Sequence, residues 1–133
     1  MQKSTLIITA LIAMLIIVWP ANAHAAYRPA PPHIVAAALR HHAPRAGTTA
    51  KRAWIVCHVW GRYRCRAALN VAWCEGGLSP YASNGQYQGT FQMSTYNRST
   101  YGHGNIWAQA RAALALWFDR HWSPWECQPG SIA

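Results

Sequence analysis

The hydrophobic positions after residue 50 recur with the periods of three helices. Residues 51–60 carry apolar side chains at a helical spacing, although the β-branched residues among them are also compatible with a strand. Residues 64–75 form a second apolar stripe, and the two glycines that follow are typical of a helix C-terminus. A third stripe follows Asn105, which can cap a helix, and it ends near Trp122 because Pro124 prevents continuation.

The segment between the second and third stripes, residues 79–93, has no helical period. Its Pro80, its Asn84-Gly85 pair and its Gly89 are turn-forming residues that separate short stretches containing aromatic side chains. This arrangement indicates turns and one short β-hairpin. The predicted fold is therefore α+β and mainly α, a small domain of about 80 ordered residues.

The N-terminal pattern indicates export. Lys3 precedes an apolar run at residues 6–19, and a proline and small residues then lead to a cleavage site after Ala23. These features predict a secretory signal peptide at residues 1–23. A cut after Ala25 fits almost as well. An uncleaved membrane anchor is the weaker alternative, because a spanning helix needs roughly 20 apolar residues.

Residues 24–50 have a different composition from the rest of the chain. They are rich in Ala, Pro, His and Arg, and a stretch of this kind buries little surface. The composition predicts a linker with a short helical piece at residues 34–41. Residues 51–133 are then expected to form the folded domain.

The charge balance limits both partners and chemistry. The 133 residues include 12 Lys+Arg against 3 Asp+Glu, and the formal net charge of +9 favours an anionic partner. Acid/base chemistry by a carboxyl group must use Glu75, Asp119 or Glu126. Eight Trp and six Tyr supply enough apolar area for a core, which excludes a disordered chain. The sequence contains only one long apolar run, and this excludes a multi-span membrane protein.

The four cysteines are interpreted through the expected compartment. Thiols outside the cytosol are oxidised, so two disulfides are expected, and the spacing is compatible with all three connectivities. The competing hypothesis is a zinc site that combines cysteines with His58 or His121, but no two cysteines have the short spacing typical of zinc ligands. We therefore expect no metal and no cofactor. The cysteines are Cys57, Cys65, Cys74 and Cys127.

Glu75 is the leading candidate for a catalytic side chain. It lies at the predicted C-terminal end of the second helix, where the negative end of the helix dipole destabilises a carboxylate. Aromatic neighbours would also desolvate it. Both effects raise the pKa of the carboxyl group, which is what a general acid needs near neutral pH. The alternative is a surface glutamate that happens to lie near a helix end.

Four sequence pieces around Glu75 occur in a recognisable order. They are CEGG at residues 74–77, NGQYQGTFQ at residues 84–92, Gln109 in an Ala-rich helix, and WSPWEC at residues 122–127. This order resembles the lysozyme-like domain of lytic transglycosylases and of the resuscitation-promoting factors that share it. The resemblance covers about residues 52–127 and implies a lysozyme-like fold.

The resemblance also implies roles by motif position. Glu75 matches the catalytic acid/base. The positions that match saccharide-contacting residues are Tyr87, Gln92, Gln109 and Thr95. Trp125 lies in the terminal loop and is a further candidate for stacking on a sugar.

The same comparison implies a disulfide pairing and shows one departure. Cys74 and Cys127 match the disulfide of the family, which leaves Cys57 to pair with Cys65. The family usually has Ser after the catalytic Glu, whereas this chain has Gly76. Loss of the hydroxyl could weaken the positioning of the Glu or of the substrate.

The scarcity of acids favours a single-acid mechanism. Most glycosidases need two carboxyl groups. Asp119, however, is expected in a surface ion pair with Arg120 or on the polar face of the last helix, and Glu126 is expected at the rim of the site. The resemblance implies lytic transglycosylase chemistry on the MurNAc–GlcNAc bond of peptidoglycan. In that reaction the N-acetyl group and the 6-hydroxyl of the substrate replace a second acid and water. A two-carboxylate hydrolase is the alternative.

Two other function classes stay open. A non-catalytic glycan-binding module is favoured by Gly76, and a cationic membrane-active protein is favoured by the excess of Lys and Arg. The expected location is extracellular, in the cell wall or in a periplasm. The expected partners are peptidoglycan strands, with anionic cell-wall polymers as further candidates. No nucleic-acid partner is expected, and the chain is expected to be a monomer.

Overall fold

The computed structural model describes residues 27–129, so the expected signal peptide lies outside the described residues. The helices in this range are α1 (Pro32–Ala38), α2 (Thr49–Trp60), α3 (Cys65–Gly76), α4 (Thr95–Tyr101) and α5 (Ile106–Arg120). A small antiparallel sheet with the order β1-β2-β3 lies between α3 and α4 in the sequence, and its strands are β1 (Ser83–Asn84), β2 (Tyr87–Gln88) and β3 (Met93–Ser94). The predicted α+β, mainly helical class is confirmed.

Side-chain hydrogen bonds set the starts of α2 and α5, two helices that pack against each other. The hydroxyl oxygen of Thr48 accepts a hydrogen bond from the Lys51 amide at the start of α2, at 3.1 Å. The side-chain oxygen of Asn105 accepts from the Ala108 amide at the start of α5, also at 3.1 Å. Such caps satisfy amides that have no partner inside the helix. The helix predicted over residues 51–60 is confirmed, and the strand alternative is wrong because burial against the other helices outweighs β propensity.

The predicted hairpin is present, and a third strand extends it. Asn84 pairs with Tyr87 across a two-residue turn, in which Gly85 has a φ of 60°, a left-handed conformation that glycine adopts readily. Gln88 of β2 pairs with Met93 of β3. The sequence pattern predicts neither β3 nor α4. Helix α4 consists of polar and aromatic residues, none of which is buried, so it has no apolar stripe to detect.

The segment expected to be a linker is packed against the domain, which corrects the expected boundary at residue 51. Helix α1 packs on α2 and buries Ile34, Ala37 and Ala38. The Ala30 amide donates to the Asn70 side chain of α3 at 3.0 Å, which anchors the segment before α1. Composition misleads here because alanines that make a stretch resemble a linker also let two helices approach closely.

The core is built around a stack of aromatic rings. Trp60 is 1% exposed, and its ring stacks on Phe91 and Trp122 with centroids 5.6 and 5.4 Å away. Offset aromatic pairs at such distances add to the burial of their apolar area. Among the tryptophans of the helices, Trp60 is fully buried. The others are partly buried, and they are Trp54, Trp73, Trp107 and Trp117.

Two disulfides fix the ends of α3. Cys57 pairs with Cys65 and joins the end of α2 to the start of α3, and Cys74 pairs with Cys127 and joins the end of α3 to the C-terminal segment. These are the pairs that the resemblance implies. All four cysteines are in disulfides, so none is left as a thiolate for the alternative zinc site. In residues 27–129, no helix has the length and apolarity needed to cross a bilayer.

Candidate active site

Glu75 lies in the last turn of α3, immediately before the chain reverses direction. The helix ends at Gly76, and Gly77 follows with a φ of 59°, in the left-handed region that glycine favours at helix ends. The Gly77 amide donates to the Trp73 carbonyl at 2.9 Å, which closes the helix. The two glycines therefore allow the chain to turn sharply and leave the Glu75 side chain beside the hairpin and the C-terminal segment.

The absence of a side chain at Gly76 is explained by close backbone packing. A Cβ atom at this position would lie 2.9 Å from the carbonyl oxygens of both Gly89 and Thr90. These are backbone atoms in a densely packed region, so they cannot move aside as the end of a flexible side chain could. Packing in this chain therefore explains why Gly76 stands where the resemblance implies a Ser. The departure does not by itself favour a non-catalytic module.

The C-terminal segment holds the Glu75 carboxyl group in place. Its Oε1 atom accepts a hydrogen bond from the Cys127 amide at 2.9 Å. The neighbouring Cys74–Cys127 disulfide links the same two parts of the chain covalently. One carboxyl oxygen is therefore anchored, and its position depends on a segment more than fifty residues away in the sequence.

The surroundings of Glu75 raise the pKa of its carboxyl group above the ordinary value of 4.5. Burial is the largest cause, because it removes water from the charged form. Hydrogen bonds from the Cys127 and Glu126 backbone amides oppose this effect and lower the pKa, and the negative charge of Glu126 raises it again. The net direction agrees with the sequence argument. A carboxyl group with a raised pKa retains a proton that it can donate closer to neutral pH.

An open pocket of about 180 Å³ lies at Glu75. Its wall comes from the end of α3, from the hairpin with the loop after it, and from the C-terminal segment. The lining residues are Cys74, Glu75, Asn84, Tyr87, Gln92, Pro124, Glu126 and Cys127. The structure thus brings together Glu75 and two of the predicted saccharide-contacting residues, Tyr87 and Gln92.

Gln92 and Tyr87 present polar groups to this pocket. The Gln92 side chain donates from Nε2 to the Gly89 carbonyl at 3.0 Å, which leaves Oε1 without a hydrogen bond within the described residues. Gln92 has a φ of 45°, a left-handed conformation that is rare outside glycine and is enriched at functional sites. Tyr87 is 42% exposed. Both side chains can therefore meet a ligand without displacing core residues.

Two residues outside the predicted sugar-contacting set also line the pocket. The sequence predicts Asn84 only as a turn residue, whereas its side chain lines the pocket as well. Glu126 was expected at the rim, and it lines the same pocket as Glu75 and influences its pKa. The WSPWEC motif contained the signal for Glu126, because the disulfide partner of Cys74 must carry its neighbours to the end of α3.

Gln109 lines a neighbouring cavity of about 310 Å³ together with Gln88 and Gly89 of the hairpin region. Its Oε1 accepts from the Thr90 amide at 2.8 Å, and its Nε2 donates to the carbonyls of Pro80 and Gly104 at 3.0 and 2.7 Å. These bonds use both hydrogens of Nε2 and one acceptor site of the oxygen. Gln109 therefore ties three loops together and does not line the Glu75 pocket.

Trp125 and Thr95 also lie outside the Glu75 pocket. Trp125 is 3% exposed, and its Nε1 donates to the Phe91 carbonyl at 2.9 Å, so its ring belongs to the core and is not available to stack on a sugar. Thr95 is exposed at the start of α4, and its hydroxyl donates to the Gln86 carbonyl at 3.3 Å. Of the residues predicted to contact a sugar, the structure thus places Tyr87 and Gln92 at the Glu75 pocket, and Asn84 lies there as well.

Asp119 does not line the Glu75 pocket. It accepts a hydrogen bond from the Tyr101 hydroxyl, and its Oδ2 lies 3.8 Å from Arg120 Nε. Both charged side chains are more than half exposed. This is the surface ion pair that the sequence predicts, and exposed pairs of this kind contribute little to stability.

Comparisons of the chain with protein-family models, with curated proteins and with solved structures find no match. Functional inference therefore rests on the chemistry of the Glu75 pocket and on the sequence motifs that form it.

Proposed function

We propose that the chain is an exported peptidoglycan-cleaving enzyme that acts on the MurNAc–GlcNAc bond as a lytic transglycosylase. One observation carries the proposal: a partly buried carboxyl group with a raised pKa opens onto a pocket that also contains amide and phenol groups. Acid, amide and phenol side chains around a cleft are the groups that sugar cleavage needs. The two disulfides are consistent with export.

In the proposed reaction the protonated Glu75 gives its proton to the glycosidic oxygen while the bond from C1 to that oxygen breaks. The carbonyl oxygen of the substrate N-acetyl group stabilises the positive charge that develops at C1. The 6-hydroxyl of the same sugar then attacks C1, and its proton returns to Glu75. The product carries a 1,6-anhydro ring, no water is consumed, and the acid is regenerated.

The anchored Oε1 of Glu75 supports this use of a single acid. The Cys127 amide occupies that oxygen, so the other carboxyl oxygen is the one that can face a substrate. The free Oε1 of Gln92 can accept from a sugar hydroxyl, and Tyr87 and Asn84 provide further contacts. These groups would hold the scissile bond near the proton donor. Such positioning accounts for much of the rate increase that a general acid provides.

Glu126 favours a second candidate, a hydrolase with two carboxyl groups. It is the other carboxyl group in the pocket, and it is exposed to solvent, as a group that activates water must be. In this scheme Glu126 removes a proton from water or attacks C1 directly, while Glu75 remains the acid. The product then has an ordinary reducing end.

Digestion of purified peptidoglycan, followed by mass spectrometry of the fragments, tests both candidates. Transglycosylase action gives fragments that are lighter by one water than the hydrolysis products and that cannot be reduced with borohydride. Reducible muramic acid ends would support the hydrolase. Intact glycan strands after prolonged incubation would contradict both and would favour a binding module or a membrane-active protein.

A further inference from the structure

The positive charge of the chain is concentrated in the part that contains α1, α2 and most of α3. Residues 27–74 include eight Lys and Arg and no Asp or Glu. All three acids of the chain, Glu75, Asp119 and Glu126, follow this part in the sequence. A surface with one sign of charge attracts counter-ions and polyions of the opposite sign.

A recess of about 440 Å³ lies within this basic part, between the end of α1 and the start of α3. The Cys57–Cys65 disulfide and Trp54 contribute to its wall. Four side chains that are cationic or can become so also line it, and they are exposed: Arg40, His41, His58 and Arg62.

The two arginines of the recess have no internal compensation. Neither Arg40 nor Arg62 forms an ion pair with a carboxylate in the part of the chain that the structure describes. Arg40 is held in place through its backbone, because its carbonyl accepts from Trp54 Nε1 at 3.1 Å. Two uncompensated guanidinium groups at one recess are suited to an anionic ligand, since guanidinium binds phosphate and carboxylate through paired hydrogen bonds.

The recess is well separated from the Glu75 pocket. Cys65 at the start of α3 lines the recess, and Glu75 at the other end of the same helix lines the proposed active site. The ten residue steps from Cys65 to Glu75 along the helix span about 15 Å. No residue lines both, so the two sites can be occupied at the same time.

We propose that this recess binds a linear phosphodiester polymer, with phosphate groups held by Arg40 and Arg62. A phosphodiester suits the site because each phosphate carries a full negative charge and two terminal oxygens that a guanidinium can bind through paired hydrogen bonds, and successive phosphates along one chain can reach both arginines. The identification of this polymer as a cell-wall component rests on the proposed function. Binding there would keep the enzyme on the wall while the Glu75 pocket remains free for glycan.

The geometry disfavours the two other common polyanions. Single-stranded nucleic acids use aromatic rings as stacking platforms, but the Trp54 ring is already covered, with His58 stacked at 4.8 Å and the Lys51 ammonium 4.3 Å from its centroid. A bilayer presents a flat surface, which reaches the rim of a recess and not its interior. A flexible single chain of polyol phosphates can enter it.

The test measures binding of the full exported chain, with both disulfides intact, to poly(glycerol phosphate) of defined length by isothermal titration. We expect the double variant Arg40→Gln/Arg62→Gln to raise the Kd by about tenfold or more, because each replaced arginine loses a charge-assisted contact. The matched control is Arg66→Gln/Arg111→Gln, which removes the same charge from two exposed helical positions outside the recess. We expect the control to change the Kd by less than about threefold. Neither of its side chains lines the recess, and salt screens charges that lie outside it.

The outcomes separate this inference from the proposed function. Equal losses in the two double variants would mean that binding is diffuse, and the recess would be excluded as a site. Tighter binding to polygalacturonate, to a DNA oligonucleotide or to phosphatidylglycerol vesicles would also overturn the proposal. We expect Glu75→Gln to bind the polymer as the wild type does. If it does so and the wild type nevertheless cleaves no glycan, the proposed function fails while the polymer site stands.

Discussion

At the scale of single residues, the Glu75 carboxyl group combines burial with a fixed anchor. Replacing it with Gln keeps the size and still allows a side-chain oxygen to accept from the Cys127 amide. The replacement removes the transferable proton, so we expect Glu75→Gln to lower the rate of peptidoglycan cleavage by a factor of at least about 10²–10⁴, the usual contribution of general acid catalysis. Release of soluble fragments from labelled peptidoglycan measures this rate.

Two matched variants test the role of the other acids. Asp119→Asn removes an exposed carboxylate outside the pocket and is expected to retain most of the activity. Glu126→Gln changes the second carboxyl group in the pocket, and the single-acid scheme expects it to retain most of the activity as well. Damage by Glu126→Gln as severe as that by Glu75→Gln, in a folded protein, would favour the two-carboxylate hydrolase.

The raised pKa of Glu75 also predicts a pH dependence of stability. The folded state binds this proton more tightly than the unfolded chain, so the contribution of Glu75 to stability decreases as the pH rises from its ordinary value of 4.5 through its raised pKa. Glu75→Gln removes the titration. We therefore expect the difference in Tm, variant minus wild type, to grow as the pH rises from the ordinary value of 4.5 through the raised pKa. Thermal melts at a series of pH values measure this difference, and a difference that stays constant would contradict the raised pKa of Glu75.

At this scale, a site residue could be predicted from the sequence where its motif coincided with a local conformation. Glu75 at a helix end, followed by two glycines, could be identified because helix termini and glycine turns are local features. The sequence gives no sign that Gln109 and Trp125 bond to Pro80 and Phe91, because these hydrogen bonds join residues about thirty positions apart. A pattern in the sequence does not indicate whether a polar or aromatic side chain contacts a ligand or another loop.

At the scale of elements, the sequence predicts a short helix close to α1 but does not predict that this helix packs on α2. Ile34 on this helix is buried against the core, so Ile34→Ala should lower the free energy of unfolding by about 2–5 kcal/mol, the usual range for deletion of a large buried aliphatic side chain. His33→Ala, on the exposed side of the same helix, is the control and should change it little. Chemical denaturation measures both, and equal small effects would restore the linker interpretation.

The other elements differ in how much of each was predictable. The stripes of α2, α3 and α5 are visible because their apolar residues recur with the helical period. The hairpin is visible because its turn requires the Asn84-Gly85 pair. Helix α4 begins with a Ser94 cap that accepts from the Asn97 amide and buries no residue, so hydrophobic periodicity contains no signal for it. The elements that cannot be predicted are those held in place by neighbours.

At the scale of the whole molecule, α3 connects two sites of opposite electrostatic character. Its start lies at the basic recess, and its end carries the acid of the proposed active site. A disulfide is attached at each end, through Cys65 and through Cys74. The two disulfides therefore resemble each other in position but differ in what they support. Cys57–Cys65 closes a short loop beside the recess, whereas Cys74–Cys127 holds the segment that anchors Glu75.

This difference predicts separate effects of removing each disulfide. The Cys74–Cys127 pair has a sequence separation of 53 and should contribute about 4 kcal/mol to stability by the loop-entropy relation. The Cys57–Cys65 pair has a separation of 8 and should contribute about 2.5 kcal/mol. Replacement of each pair by serines, followed by denaturant unfolding, measures these contributions.

Activity distinguishes the two replacements more sharply than stability does. Without Cys74–Cys127, the Cys127 amide is no longer held against the Glu75 carboxyl group, so we expect glycan cleavage to fall even under conditions where the variant is fully folded. Without Cys57–Cys65, the Glu75 pocket keeps all its lining residues, and cleavage measured on folded protein should stay near that of the wild type. Equal losses of activity in the two folded variants would show that the anchor from the C-terminal segment does not position the acid.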